Sequence, residues 1–121
     1  MNISVLKSKL HGATITEAEL DYDGSLTIDK DLMDMVKLVP FEEILVANLK
    51  NGNRFVTYAI EGPAGSGVIC LNGATAHKGE VGDEIIVMAF GSVDESEAHA
   101  HRPLVIRLTP DNKPDGQLKE V

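Results

Sequence analysis

Asp23-Gly24-Ser25 carries the most distinctive chemistry in the chain. A serine hydroxyl can attack the carbonyl of the residue before it, and glycine presents that carbonyl without a side chain in the way. The attack moves the Gly24 acyl group from nitrogen to oxygen and leaves an ester. Elimination of the ester frees the Gly24 carboxylate and leaves a dehydroalanine. Hydration and loss of ammonia then give a pyruvoyl group at position 25, a ketone that captures amines and takes up electron pairs. The sequence asks Gly24 to tolerate an unusual backbone conformation and asks for a donor to steady the oxyanion. Taken alone, Asp-Gly between two strands is an ordinary hairpin turn. Two further segments accompany it, Arg54-Phe55-Val56-Thr57-Tyr58 and Leu71-Asn72-Gly73-Ala74-Thr75-Ala76-His77.

The elements that must position these residues are short. Residues 2–10 and 13–16 read as two strands with a turn near Gly12. Asp29 is placed to cap a helix over 31–37, with Leu32, Met35 and Val36 on one apolar face and Pro40 beyond its end. Residues 43–49 form a strand and Asn51-Gly52 a tight turn. The returning strand, 54–60, puts Arg54, Val56, Tyr58 and Ile60 on one face and Phe55, Thr57 and Ala59 on the other. A Gly/Pro loop over 62–67 precedes a strand at 68–71, a turn at Asn72-Gly73 and a helical turn at 74–77. Strands follow at 84–90 and 103–109, with a short exposed helix between them and a flexible tail over about 110–121. The predicted class is mostly β, a closed or nearly closed small barrel with short helices in a single domain, 1–121, with a β-sandwich as the structural competitor.

Composition narrows the function. A chain of 121 residues suits one domain, and with no Trp its core must be aliphatic. A net charge of −8 argues against nucleic acid, whose phosphates need a basic face. No apolar run approaches the ~20 residues of a membrane span, and residues 1–5 hold no long apolar signal core. The single cysteine, Cys70, lies in an apolar run and reads as a small buried hydrophobe. A reducing, cytoplasmic setting is expected.

In order and spacing, Lys9-Leu10-His11, Tyr22-Asp23-Gly24-Ser25, Asn51-Gly52 with Arg54, Thr57-Tyr58-Ala59-Ile60, Asn72-Gly73-Ala74, Ala76-His77 and Val81-Gly82-Asp83 resemble the bacterial pyruvoyl-dependent aspartate 1-decarboxylases. The resemblance runs from about residue 7 to about residue 90 and implies a double-psi β-barrel that assembles as a homotetramer, with active sites between neighbouring subunits. It implies autocatalytic cleavage between Gly24 and Ser25 into a β chain (1–24) and an α chain (25–121) headed by a covalent pyruvoyl group formed from Ser25. That group would form a Schiff base with L-aspartate, and loss of CO2 would yield β-alanine for pantothenate. Tyr58 matches the proton donor and Arg54 the residue that grips the remaining carboxylate, with Lys9 a weaker candidate for that task. Thr57 is implied to assist self-cleavage and to border the substrate. Gly73, Ala74 and Thr75 match a loop whose backbone contacts substrate, beside Asn72.

His11 and His77 match family positions without an assigned role, and no third ligand has the spacing of a metal site. His99 and His101 are expected to be solvated. Two departures stand out: Leu26 where some members have cysteine, and Thr75 where alanine is common. The sequence leaves room for a maturation factor without identifying one. The competing reading is an uncleaved, catalytically silent barrel that binds a ligand or partner.

Overall fold

The structure is a computed structural model that describes residues 1–116 and the strand Lys119–Glu120. Along the chain run β1 (Asn2–Thr14), β2 (Glu17–Glu19), β3 (Ser25–Asp29), α1 (Lys30–Met35), β4 (Glu43–Asn48), β5 (Arg54–Gly62), β6 (Ile69–Asn72), a 3-10 turn (Gly73–Lys78), β7 (Glu84–Asp94), a second 3-10 turn (Glu95–Ala100), β8 (Leu104–Arg107) and β9 (Lys119–Glu120). The strand order is β2-β6-β3-β5-β4-β7-β1-β8-β9. β2 continues β1 after only Ile15 and Thr16, yet the two pair on opposite sides of this order. The bent β1/β2 strand therefore closes the sheet on itself, with Thr16 N donating to the Ile69 carbonyl at the seam, 2.8 Å away. Closure removes the exposed edges that a short open sheet would present.

The pairing has an internal symmetry. Exchanging β1/β2 with β5, β3 with β6 and β4 with β7 leaves the pairing among β1–β7 unchanged, while β8 and β9 are added outside it on β1. The parallel pair β2–β6 maps onto β5–β3, and the antiparallel pair β1–β7 maps onto β5–β4. The antiparallel pairs β3–β6 and β4–β7 map onto themselves. Each half lends strands to the other, which is the interleaving of a double-psi barrel. A helical segment follows the second strand of each half, α1 after β3 and the first 3-10 turn after β6.

The core is aliphatic, as the lack of Trp required. Leu10, Leu26, Ile28, Met33, Val46, Ile69, Leu71, Ile85 and Val87 are completely buried, each contributing about 1.5–3 kcal/mol by leaving water. Three expectations need correction. Gly12 makes no turn: β1 runs through it, and its φ of +83° sits at a register shift between His11 and Ala13. This bulge bends one long strand around the barrel where a turn would have split it. The buried face of α1 is Leu32, Met33 and Val36, while Met35 is 38% exposed. The strand at 84–90 extends to Asp94, so the polar stretch begins as sheet.

The tail expected from residue 110 is tied down at its start. Asn112 is 1% exposed, accepts from Thr14 N and donates to the Thr14 and Gly67 carbonyls. Its continuation at residues 117, 118 and 121 lies outside the described residues. Among the described residues, no helix is long and apolar enough to cross a membrane.

Candidate functional site

Ser25 opens β3 and is only 3% exposed, although residues 16–24 before it are exposed. Its position follows from pairing on both sides. Across the antiparallel ladder it faces Asn72. On the parallel side, where Leu26 lies against Ala59, it stands level with Tyr58. Three residues distant in sequence thus meet because β3 lies between β5 and β6. They line one cavity of about 420 Å³ with Thr27, Phe41 and Ile60. Tyr22 and Asp23 of the exposed turn close its rim.

Asn72 is the organiser. It is 3% exposed, and its Nδ2 donates to Ser25 Oγ at 3.0 Å and to Thr27 Oγ1 at 2.8 Å. Its Oδ1 accepts from the Cys70 thiol at 3.2 Å. Burial pushes the Cys70 pKa up, and Glu17 and Glu19 push it the same way, so the thiol keeps its proton and its donor role. The expected buried hydrophobe therefore also orients the amide that holds Ser25. Thr75 Oγ1 donates toward the Asn72 carbonyl at 2.7 Å and lies 3.3 Å from the Ser25 carbonyl.

Glycine matters at a different position from the one expected. Gly24 is not left-handed, and a Cβ there would meet nothing within 4 Å. Gly73 has φ +61°, and a Cβ on it would come within 2.5 Å of the Tyr22 carbonyl oxygen and 2.8 Å of Gly24 N. The backbone after Asn72 is thus moulded directly onto the segment before Ser25. Among the described residues, no side-chain donor is bonded to the Gly24 carbonyl.

Phe41, which the sequence did not single out, forms one wall. Its ring lies 6.1 Å from that of Tyr58, and its φ is +70°. Such a backbone costs about 1–2 kcal/mol in a residue with a side chain. It is held by Phe41 N donating to the Ala59 carbonyl and Ala59 N to the Glu42 carbonyl, at 2.7 and 3.0 Å. Glu42 is itself clamped by Lys7 Nζ at 2.8 Å. No simple sequence signal marks an aromatic residue in a left-handed loop position.

Other predicted site residues lie outside this cavity. β4 and β5 pair without a register shift from Glu43↔Tyr58 to Ala47↔Arg54. No bulge therefore brings Thr57 onto the face of Tyr58; Thr57 borders an adjoining hollow with Glu43 and Val56 that shares Phe41 and Tyr58 with the Ser25 cavity. Arg54 is exposed on the Tyr58 face but four residues away, about 13 Å along a strand. Lys9 is half-buried on β1 beside His11. Burial lowers the His11 pKa, with Arg107 and Lys9 adding to the effect and Glu84 opposing it. Gly73 is buried and Ala74 exposed at the start of the 3-10 turn, while His77, exposed near its end, lines a separate hollow with Lys50. His99 is exposed; His101, expected to be solvated, is half-buried with Nε2 against the Leu6 carbonyl.

Fold and site together define a small closed β-barrel with one serine-centred cavity at a strand end. The profile of the aspartate decarboxylase family matches residues 1–115. The chain is 54% identical over 113 residues to an aspartate 1-decarboxylase of Syntrophobacter fumaroxidans, covering 93% of this chain and 91% of that one. It is 48% identical over 112 residues to the aspartate 1-decarboxylase of Clostridium acetobutylicum, covering 93% and 88%. Against that of Leptospira biflexa it is 49% identical over 115 residues, covering 94% and 98%. The chain belongs to the aspartate decarboxylase family.

Proposed function

We propose that this protein is an aspartate 1-decarboxylase that cuts itself between Gly24 and Ser25, converts Ser25 to a pyruvoyl group and decarboxylates L-aspartate to β-alanine. The observation that carries this reading is a buried Ser25, held by Asn72, sharing one cavity with Tyr58 in a chain of this family. The residues fit the group. Position 25 is buried at the cavity wall, and the preceding segment turns out to solvent over Gly73, where a freed chain end can part from it. Once formed, the ketone supplies an electron sink that takes the substrate amine and accepts the electron pair as CO2 leaves.

The chain's own residues do the rest. Asn72 fixes the Ser25 rotamer and so orients Oγ for attack on the Gly24 carbonyl. Tyr58 offers an uncharged O–H donor level with residue 25, suited to returning a proton to substrate. Phe41 and Ile60 keep the space apolar. Lys9, Thr57, Gly73, Ala74 and Thr75 retain the substrate and cleavage roles that the resemblance implies. Arg54, whose guanidinium fork suits a carboxylate, serves a site shared with a neighbouring copy. Support for that assembly is an apolar surface around Val56, next but one to Arg54 on β5: Val56 is 63%, Phe41 74% and Phe90 47% exposed. The assembly is a homotetramer working in the cytoplasm, matured alone or with a factor.

Intact mass under denaturing conditions, before and after incubation, tests the reading. Fragments 1–24 and a pyruvoyl-headed 25–121 are expected. A single full-length mass in a protein that makes no β-alanine would mean a precursor waiting for a maturation factor or the silent barrel, and incubation with cell lysate separates the two. Ser25→Ala gives an intact, inactive chain. Tyr58→Phe cleaves normally but decarboxylates poorly; full activity in that variant removes Tyr58 from the mechanism.

A further inference from the structure

Two oxygens of residue 25 gain charge when the ester is eliminated. Oγ leaves with the Gly24 acyl group as a carboxylate. The residue's own carbonyl oxygen takes up enolate charge as the Cα proton departs. Oγ has a donor in Asn72 Nδ2, 3.0 Å away. The carbonyl oxygen has Thr75 Oγ1 at 3.3 Å, while the same hydroxyl lies 2.7 Å from the Asn72 carbonyl. A hydroxyl has one proton to give, so in the resting chain it rests mainly on the nearer acceptor. Thr75 is 7% exposed, which leaves water little access to that proton.

We propose that Thr75 promotes the elimination step of maturation by turning its hydroxyl proton onto the carbonyl oxygen of residue 25 as that oxygen gains charge. The inference rests on the cleavage reading above and gives the side chain a task, where the resemblance implies only a backbone contact. The step balances. The Cα–H bond of residue 25 breaks and its proton passes to solvent water. Its electron pair forms the Cα=Cβ bond. The Cβ–Oγ bond breaks, and Oγ keeps that pair in the Gly24 carboxylate. Thr75 loses no atom; it makes a hydrogen bond that is stronger in the transition state than before it, which is the condition for acceleration. A preorganised donor at a developing oxyanion is worth about 10²–10³ in rate, and this longer, shared contact is expected to give about tenfold.

The test separates elimination from acyl transfer in the full-length chain. Wild type, Thr75→Ala and Thr75→Ser are incubated, quenched at intervals, treated with hydroxylamine and weighed. Brief, mild hydroxylamine treatment opens the ester to a 1–24 hydroxamate and a serine-headed 25–121, leaves peptide amides (Asn51-Gly52 and Asn72-Gly73 included) intact and turns the pyruvoyl ketone into its oxime, so the masses report uncut chain, ester and pyruvoyl product separately. Thr75→Ala is expected to form ester at the wild-type rate and lose it about tenfold more slowly, so that ester accumulates; Thr75→Ser restores turnover. Wild-type ester kinetics in Thr75→Ala overturn the inference and leave the cleavage reading intact. Equal slowing of both steps also overturns it, because a loss of packing does that. If wild type yields neither ester nor pyruvoyl product, whether alone or incubated with a cell lysate that supplies any maturation factor, the cleavage reading fails and this inference with it. Should Thr75→Ala not fold, Thr75→Val keeps the side-chain shape and is judged by the same two rates.

Discussion

Asp29 and Asn72 hold matching places in the two halves of the barrel. Each ends the second strand of its half and stands immediately before a helical segment. Both are buried, at 1% and 3% exposure. Their side chains are spent differently. Asp29 caps α1 through Asp31 N and also accepts from Gly65 N and Gly67 N, tying strand, helix and loop together. Asn72 makes no cap bond to the helical turn that follows it. Its amide points across the sheet to Ser25 and Thr27 instead. One corner uses its polar side chain for the backbone and gains stability; the other leaves its turn uncapped and gains a held hydroxyl. Symmetry of fold thus leaves room for one structural corner and one chemical corner.

The largest expected effect comes from closing the contact behind the chemical corner. Gly73→Ala puts a Cβ on the backbone of residues 22–24 and should abolish cleavage, read as a single full-length mass. Gly65→Ala is its counterpart at the structural corner. It has a similar φ of +77°, but its Cβ would lie 3.7 Å from Asp31 Oδ2. That variant should lose about 1–2 kcal/mol of stability and cleave normally. If both cleave, the moulding of Gly73 onto the scissile segment has no bearing on the chemistry.

Next come the two side chains themselves. Asn72→Ala should slow cleavage about 100-fold, because Ser25 Oγ loses the group that orients it, at a stability cost of only about 1 kcal/mol. Asp29→Ala reverses the balance. Three backbone N–H groups lose an ionised acceptor, so urea unfolding should show a loss of about 3 kcal/mol while the folded fraction cleaves at its usual rate. Equal effects of the two substitutions on rate and stability would dissolve the distinction between the corners.

This division was only partly legible in the sequence. Asp29 as a cap, Asn51-Gly52 as a hairpin and the alternating faces of β5 all follow from local rules, and they hold because strand and turn chemistry act over a few residues. The meeting of Ser25 with Tyr58 and Asn72 was suggested by resemblance alone, because it depends on β3 lying between two strands that come later in the chain. Local rules failed where a distant partner decides. Gly12 reads as a turn until β7 runs alongside it, and Asn112 reads as tail until Thr14 and Gly67 claim its amide. Phe41 gave no local signal at all, since its left-handed backbone is fixed by Ala59 on a neighbouring strand.

The smallest and sharpest test replaces the charge at the structural corner and leaves its shape. Burial pushes the Asp29 carboxyl up, but the N–H groups of Gly67, Gly65 and Asp31, with Lys113 nearby, outweigh it and hold the pKa below the usual carboxylate value. A carboxyl whose folded pKa is depressed adds stability above its unfolded pKa and loses it as pH falls through the folded one. Asp29→Asn keeps one acceptor oxygen and removes that ionisation. The variant should therefore be less stable than wild type at about pH 7, with the gap narrowing toward about pH 3. Asp83, held low chiefly by the Asn48 amide, and Asp94, held low chiefly by Ser96, are untouched, so the variant keeps an acid slope of its own. Urea midpoints at several pH values measure the gap. A gap that stays constant with pH would mean that the three N–H groups respond to Asp29's shape and not its charge, and an amide as in Asn72 could then have served at either corner.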